Sequence, residues 1–176
     1  MIIGVSGYAQ SGKDEIAKFA LEYGFNRAAF ADTLREAIVA LNPLIGVGVR
    51  ANDLVMLMGW EKAKRLSPEL RMLLQRMGTE AGREIFGENI WVDKTLGGLD
   101  PSKNYIITDV RYKNEADAIR NLGGQMWRVK RPGTGPVNKH KSEVDLDDYT
   151  FDFTIKNDGD LENLKHLVDK MMLVVA

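Results

Sequence analysis

Seven residues near the start of the chain, Gly7-Tyr8-Ala9-Gln10-Ser11-Gly12-Lys13, fit the spacing G-x-x-x-x-G-K. They follow an apolar run, Met1 to Ser6, and open a stretch of helical periodicity, the context in which that spacing makes a phosphate-binding loop. Glycines let successive backbone N–H groups turn inward around phosphate oxygens, and the helix N-terminus adds partial positive charge. Lys13 supplies a mobile point charge for β- and γ-phosphates. The next residue in such loops is normally Ser or Thr, whose hydroxyl ligates Mg²⁺; here it is Asp14. A carboxylate is also a hard-oxygen ligand, so Asp14 either holds the metal, directly or through water, or caps the helix.

A second constellation is Ile106-Ile107-Thr108-Asp109-Val110-Arg111. An acid at the carboxyl end of a buried strand lies beside the phosphate loop in doubly wound folds, where ligands collect. Asp109 could orient metal-bound water or accept a proton, or it could cap the following helix. Arg111 and Arg131 both follow strand ends on the same edge. Beside a phosphate loop, two arginines make a clamp for a transferring phosphoryl group.

The elements that must position these residues alternate along the chain. Met1 to Ser6 reads as a buried parallel strand; Ile16, Phe19, Ala20 and Tyr23 fall at helical spacing, with Gly24 where a C-cap glycine belongs. A short strand is expected through Ala28 to Phe30, and Thr33-x-x-Glu36 as a capping box for a helix that Asn42-Pro43 stops. Leu44 to Arg65 reads as loop plus short helix. Ser67-Pro68 reads as a helix start, and Trp91 to Leu96 as a further helix before Gly97-Gly98. Strands follow at Tyr105 to Thr108, Gln125 to Lys130 and Phe151 to Ile155, with a helix around Ala118 to Leu122 and another from Leu161 to Met171. This alternation predicts an α/β fold with a parallel sheet flanked by helices, forming one domain. Its core covers about 1–43 and 102–176, and a helical insertion covers about 44–101. The apolar end, Met171 to Val175, is expected to pack on the domain as a satellite of its core.

Composition bounds the partners. The 176 residues carry 24 Lys+Arg against 25 Asp+Glu, which argues against wide, non-specific contact with nucleic acid but not against a basic pocket for a small anion. With no Cys and two His, a Cys-rich zinc module is impossible. The first residues lack the basic and long apolar regions of a signal peptide, and no run is long enough to span a bilayer. A soluble, cytoplasmic protein with no membrane partner is the expectation, as monomer or homodimer.

Several further pieces sit in a consistent order: the Gly-Lys-Asp ending of the loop, Phe30-Ala31-Asp32-Thr33-Leu34, Leu74-Gln75-Arg76-Met77-Gly78-Thr79-Glu80 with Arg83, Trp91-Val92, Asp109-Val110-Arg111 with Asn114-Glu115, and His140-x-Ser142-Glu143. Together they resemble bacteriophage deoxynucleoside monophosphate kinases over nearly the whole chain. The resemblance implies a P-loop kinase fold, ATP and Mg²⁺ as donor pair, and a deoxynucleoside 5′-monophosphate as acceptor. It implies that Gly7, Ala9, Gln10, Ser11, Gly12, Lys13, Asp14 and Glu15 hold the donor, with Asn157 and Gly159 beside the adenine. Asp32, Arg35, Gln75, Glu80, Arg83, Trp91 and Glu115 would form or border the acceptor site, with Arg111 near the acceptor phosphate. Asp14 and Asp109 would be the metal's protein ligands. Residues from Arg131 to about 143 would be a lid closing over ATP, with the host cytoplasm as location if the chain is of phage origin.

Some of these residues carry a second reading. Trp91 is either core or a base-stacking platform, and Asp32 either an acceptor-site residue or only the start of a helix. His140 reads as a hydrogen-bonding residue, since no second ligand lies four residues on. The chemistry implied is in-line transfer, with Lys13, Arg111, Arg131 and the metal neutralising charge on the passing group. The same fold could instead serve dephospho-coenzyme A, phosphomevalonate or a small alcohol, the last needing Asp32 or Asp109 as base. A nucleotide-binding switch without transfer is the reading from another class. Which bases are accepted, and whether deoxyribose is preferred to ribose, depends on hydrogen bonds the sequence does not show.

Overall fold

The computed structural model describes residues 1–138 and 140–175; Lys139, expected within the lid, and Ala176 lie outside them. In chain order the first elements are β1 (Ile2–Ser6), α1 (Lys13–Leu21), β2 (Phe25–Ala28) and α2 (Phe30–Leu41). Then come β3 (Leu44–Ile45), β4 (Val49–Arg50), α3 (Ala51–Met58), α4 (Trp60–Leu66), α5 (Pro68–Arg76), a π-helical stretch (Met77–Phe86) and α6 (Ile90–Gly97). The last are β5 (Asn104–Ile107), α7 (Lys113–Asn121), β6 (Gln125–Lys130), α8 (Lys141–Val144), β7 (Phe153–Lys156) and α9 (Leu161–Val175). They group into two compact units, residues 1–29 with 96–176, and residues 30–95.

The first unit is the expected parallel sheet. Its five strands run in the order β2-β5-β1-β6-β7, and each neighbouring pair is parallel. Side chains alternate along β1: Ile3 and Val5 enter a core with Ile16, Ala17 and Ala20 of α1 and Leu164, Val168 and Met172 of α9. Gly4 faces the other way, where a Cβ would stand 2.5 Å from Met126 Sδ and 2.7 Å from Ile119 Cδ1 of α7. Helices therefore cover both faces. Met172 and Val175 join the core while Leu173 and Val174 are exposed, so the apolar end of α9 is the satellite its sequence suggested. The central strand has β5 on one side and β6 on the other, which makes its carboxyl end the switch point where ligands collect in such sheets.

Several local boundaries differ from the sequence reading: β5 lies one residue earlier than expected, β7 starts at Phe153 and not Phe151, and the largest changes are at β2 and α2. The second strand is Phe25–Ala28, registered Phe25↔Asn104 to Ala28↔Ile107, and not Ala28 to Phe30. Exposed Asn26 and Arg27 interrupt the apolar run that would have announced it, because β2 is an edge strand anchored by buried Phe25. Phe30 instead opens α2, so Thr33 lies inside that helix rather than at its cap.

The second unit gathers α2 to α6 around Ile38, Ile45, Ala51, Ala63 and Leu70. Where the sequence suggested loop plus short helix, there is a hairpin, Leu44↔Arg50 and Ile45↔Val49, followed by α3 and α4. Ser67 caps α5 as its sequence predicts: its Oγ accepts from the Leu70 N–H at 3.1 Å, and Pro68 takes the first helical position. Among the described residues no helix is long and apolar enough to cross a membrane.

Candidate active site

The phosphate loop joins β1 to α1 at the switch point. Its path needs unusual backbone: Gly12 has φ 105° at the helix N-cap and Gln10 has φ 63°. A Cβ on Gly12 would stand 2.5 Å from Asn157 Nδ2, so the position tolerates no side chain. Asn157, buried at the end of β7, donates to Ser11 O at 2.8 Å, and its own N–H donates to Lys130 O at 2.8 Å. The loop is thus tied to β6 and β7 from behind. Buried Ser11 Oγ makes no hydrogen bond.

Lys13 Nζ folds back over the loop, donating to Gly7 O at 2.7 Å and Tyr8 O at 2.8 Å. Burial, then the Arg111 charge, lower its pKa to about 8, while Asp14, Asp109 and Glu143 pull the other way. Asp14 is exposed in the first turn of α1 and Asp109 is half-buried after β5, so both acids stand within electrostatic reach of this ammonium. Glu15, one residue on, pairs with Lys18 at 2.7 Å.

Arg111 is held from two sides. Its backbone N–H donates to Glu115 Oε2 at 2.8 Å, and its Nη1 donates to Glu143 Oε1 at 2.6 Å. Glu115 is buried and also accepts from the Tyr112 N–H, so its carboxylate caps α7 and fixes the Arg111 backbone. Glu143 accepts from the Val137 N–H as well, which ties the stretch after β6 to Arg111. Arg131 is exposed and its carbonyl closes a turn with Thr134, with Gly133 at φ 76°. Gly159 stands against Asn163 at the start of α9. His140 is a hydrogen-bonding residue, as its sequence suggested: Nδ1 accepts from the Ser142 N–H at 3.2 Å and caps α8.

A neighbouring set escaped the sequence reading. Arg128, in the middle of β6 and buried, donates to Ser6 Oγ at 3.2 Å and Asp147 Oδ1 at 2.8 Å. A small cleft of Ser6, Gly7, Tyr8, Arg111, Arg128 and Glu143 lies there. The available signal was an arginine interrupting the apolar run Met126-Trp127-x-Val129.

The helical unit brings together the other candidates. Asp32 and Arg35 lie on one face of α2, bonded to each other at 3.1 Å, and line a groove of about 460 Å³ with Val39 and Trp60. Arg35 stacks over the Trp60 ring at 5.7 Å, and Trp60 is a second residue the sequence reading missed. Gln75 is half-buried near the end of α5, and exposed Glu80 pairs with Arg76 at 3.1 Å. Gly78 O, in the π-helical stretch, accepts from Arg83 Nη1 at 3.0 Å and from Trp91 Nε1 at 2.8 Å. Trp91 is only 6% exposed and lies against Gly82.

A five-stranded parallel sheet with a glycine loop and lysine at its switch point defines a P-loop kinase-type fold. Dephospho-CoA kinase from Campylobacter jejuni shares it, with TM-score 0.51 and 15% identity over 99% of this chain and 97% of that one. The acceptor class comes from sequence. The family model for deoxynucleotide monophosphate kinase matches residues 49–168, more than half of the chain, and the chain belongs to that family. A protein of Acanthamoeba polyphaga mimivirus assigned to the same activity is 28% identical over 92% of this chain and 91% of its own length. The deoxynucleotide monophosphate kinase of Escherichia phage RB69 is 32% identical over 58% of this chain, which spans 44% of that enzyme.

Proposed function

We propose that this chain transfers the γ-phosphoryl group of ATP to a deoxynucleoside 5′-monophosphate, releasing ADP and the diphosphate. The observation that carries the reading is Lys13 poised over a glycine loop, in a chain of the deoxynucleotide monophosphate kinase family. The likeness to dephospho-CoA kinase is one of fold and brings no acceptor with it.

Loop and lysine hold the donor phosphates. The glycine-bearing turn from Gly7 to Gly12, with its positive-φ backbone at Gln10 and Gly12 and the orphaned Ser11 hydroxyl, fits a polyphosphate that supplies acceptor oxygens. When Nζ swings onto the phosphates it exchanges the Gly7 and Tyr8 carbonyls for charged oxygens, a stronger, charge-assisted bond. Asp14 and Asp109 would hold Mg²⁺. Two carboxylates suit an ion that keeps waters and substrate oxygens in its shell, and it would supply neutralising charge. Among the described residues no group of three or more acids or histidines stands ready to cage a metal.

The acceptor is already an anion, so its phosphate oxygen attacks without a strong base. Arg111 and Arg131 neutralise charge on the passing group, with Glu143 keeping Arg111 oriented. The helical unit takes the acceptor: Asp32, Arg35 and Trp60 offer a planar cation, a carboxylate and a ring along one groove. Gln75, Glu80 and Arg83 would contribute to the same acceptor site from α5 and the π-helical stretch, where Trp91 supports Gly78 from within; in the sheet unit Glu115 holds the Arg111 backbone. The segment from Arg131 to 143 closes over ATP and excludes water, which otherwise competes as acceptor.

The test is ADP release by the purified chain with Mg²⁺ against a panel of deoxynucleoside and nucleoside monophosphates, dephospho-coenzyme A and phosphomevalonate. Diphosphate formation from one or more deoxynucleotides is expected. Turnover only with a non-nucleotide moves the acceptor. ATP binding with no stimulated turnover overturns the kinase reading.

A further inference from the structure

Arg128 is a charge where a buried central strand has apolar neighbours, and its surroundings give it specific work. Ser6, its register partner on β1, is the residue immediately before the phosphate loop, and its hydroxyl accepts from Nη1 at 3.2 Å. The guanidinium stacks on the ring of Tyr8, the second loop residue, at 5.0 Å, and on Phe151 at 5.5 Å from its centroid. Nη2 donates to Asp147 Oδ1 at 2.8 Å, and the same oxygen accepts from the Tyr8 hydroxyl at 2.8 Å. Arg128, Asp147 and Tyr8 thus close a ring of three contacts. The Tyr8 carbonyl in turn receives both Lys13 Nζ and the Ser11 N–H.

We infer that Arg128 is a positioning residue for the donor site: through Ser6, Asp147 and the face of Tyr8 it fixes the first turn of the phosphate loop in its ATP-binding shape. A bare buried guanidinium is costly, and one carboxylate satisfies only part of its fork. Two aromatic faces and a hydroxyl take up the rest, and each partner but Phe151 leads to the loop or the strand that launches it. Each terminal nitrogen has one partner in the loop's own framework, Ser6 or Asp147, so Arg128 acts through the loop. The inference rests on ATP being the donor held by this loop.

The test separates donor from acceptor constants. In the wild type, ATP binding lost on Lys13→Met establishes the underlying reading; without that loss the reading fails before Arg128 is tried. Given it, Arg128→Met raises the KM and Kd for ATP at least about tenfold and leaves the acceptor KM within about twofold. Arg128→Lys, which keeps a cation over Tyr8 and a donor for Asp147, recovers most of that loss. Tyr8→Phe removes one exposed-side hydroxyl, keeps the protein folded, and raises the ATP KM several-fold. Added to Asp147→Ala, which already removes the oxygen that Tyr8 and Arg128 share, it brings little more. Melting that falls in Arg128→Met while the ATP constants of both Arg128→Lys and Tyr8→Phe stay at wild-type values makes Arg128 a structural residue only, and overturns the inference. A rise confined to the acceptor KM overturns it too.

Discussion

The side-chain amide of Asn157 donates to the carbonyl oxygen of Ser11 at 2.8 Å, across 146 residues of sequence. That bond is the back wall of the phosphate loop: it joins the loop's tightest point to the strand farthest along the sheet, β7. Replacing Asn157 by Ala leaves a buried carbonyl unpaired, a cost of about 1–3 kcal/mol. We expect Asn157→Ala to lower the melting temperature and weaken ATP binding together, read by thermal denaturation with and without nucleotide.

Lys13 carries the pH dependence of donor binding. Its pKa in the free protein is lowered to about 8, below the ordinary 10.5, chiefly by burial. Polyphosphate favours the charged form, so binding raises that pKa again. Below pH 8 the lysine is already charged and no proton is taken up; as pH rises through 8 the free protein loses its proton and binding must restore it. Affinity for ATP without metal is therefore expected to fall above pH 8, and calorimetry in two buffers at about pH 9 should show close to one proton absorbed. An uptake of zero there would place the lysine outside the phosphate contact.

Arg111 is held in place by Glu143 and by the Glu115 cap, and in the proposed reaction it neutralises charge on the transferring group. Arg111→Ala is expected to lower kcat by about 100- to 1,000-fold, the scale of losing one preorganised charge at a transition state. ATP binding changes far less, which steady-state kinetics and direct binding measurements distinguish.

Gly82 lies in the π-helical stretch directly against the Trp91 ring, where a Cβ would stand 2.8 Å from Cε2 and from Met77 O. Backbone and a buried ring give little, so Gly82→Ala is expected to cost about 1–3 kcal/mol, the scale of overpacking. Gly97→Ala, with open space around its Cβ, is the control, and denaturant unfolding compares them.

A parallel sheet, and the glycine loop that follows its first strand, were legible in the sequence because apolar runs and one glycine spacing carry them. Gln125–Lys130 matches its expected span to the residue. Edge strand β2 was shifted because polar Asn26 and Arg27 look outward, and alternation over four residues is too short to read. The hairpin at Leu44 to Arg50 and the π-helical stretch leave no periodic mark, since they arise from packing around Ile45 and the buried glycines Gly78 and Gly82. At the site, Lys13 and Arg111 could be found by position after a strand. Arg128 shows in the sequence only as a charge interrupting an apolar run, and Trp60 not at all, because their significance lies in which rings and carboxylates the fold brings to them. Glu115 carries a motif-derived expectation, and the structure adds that its carboxylate is spent on two backbone N–H groups.

The segment from Glu143 to Asp152 is fastened in large part by its acids: Glu143 to Arg111, Asp145 to the Lys113 N–H, Asp147 to Arg128, Asp148 to Lys113 and Asp152 to Arg120. The core beneath the sheet is fastened by Ile, Val and Trp. These two kinds of fastening answer to different conditions. At molar salt, where the Debye length shortens to about 3 Å, the exposed pairs such as Asp148 with Lys113 weaken, while the apolar core is untouched or tighter. Concentrated salt is therefore expected to loosen the outermost acid contacts of residues 143–152 well before it disturbs the apolar core.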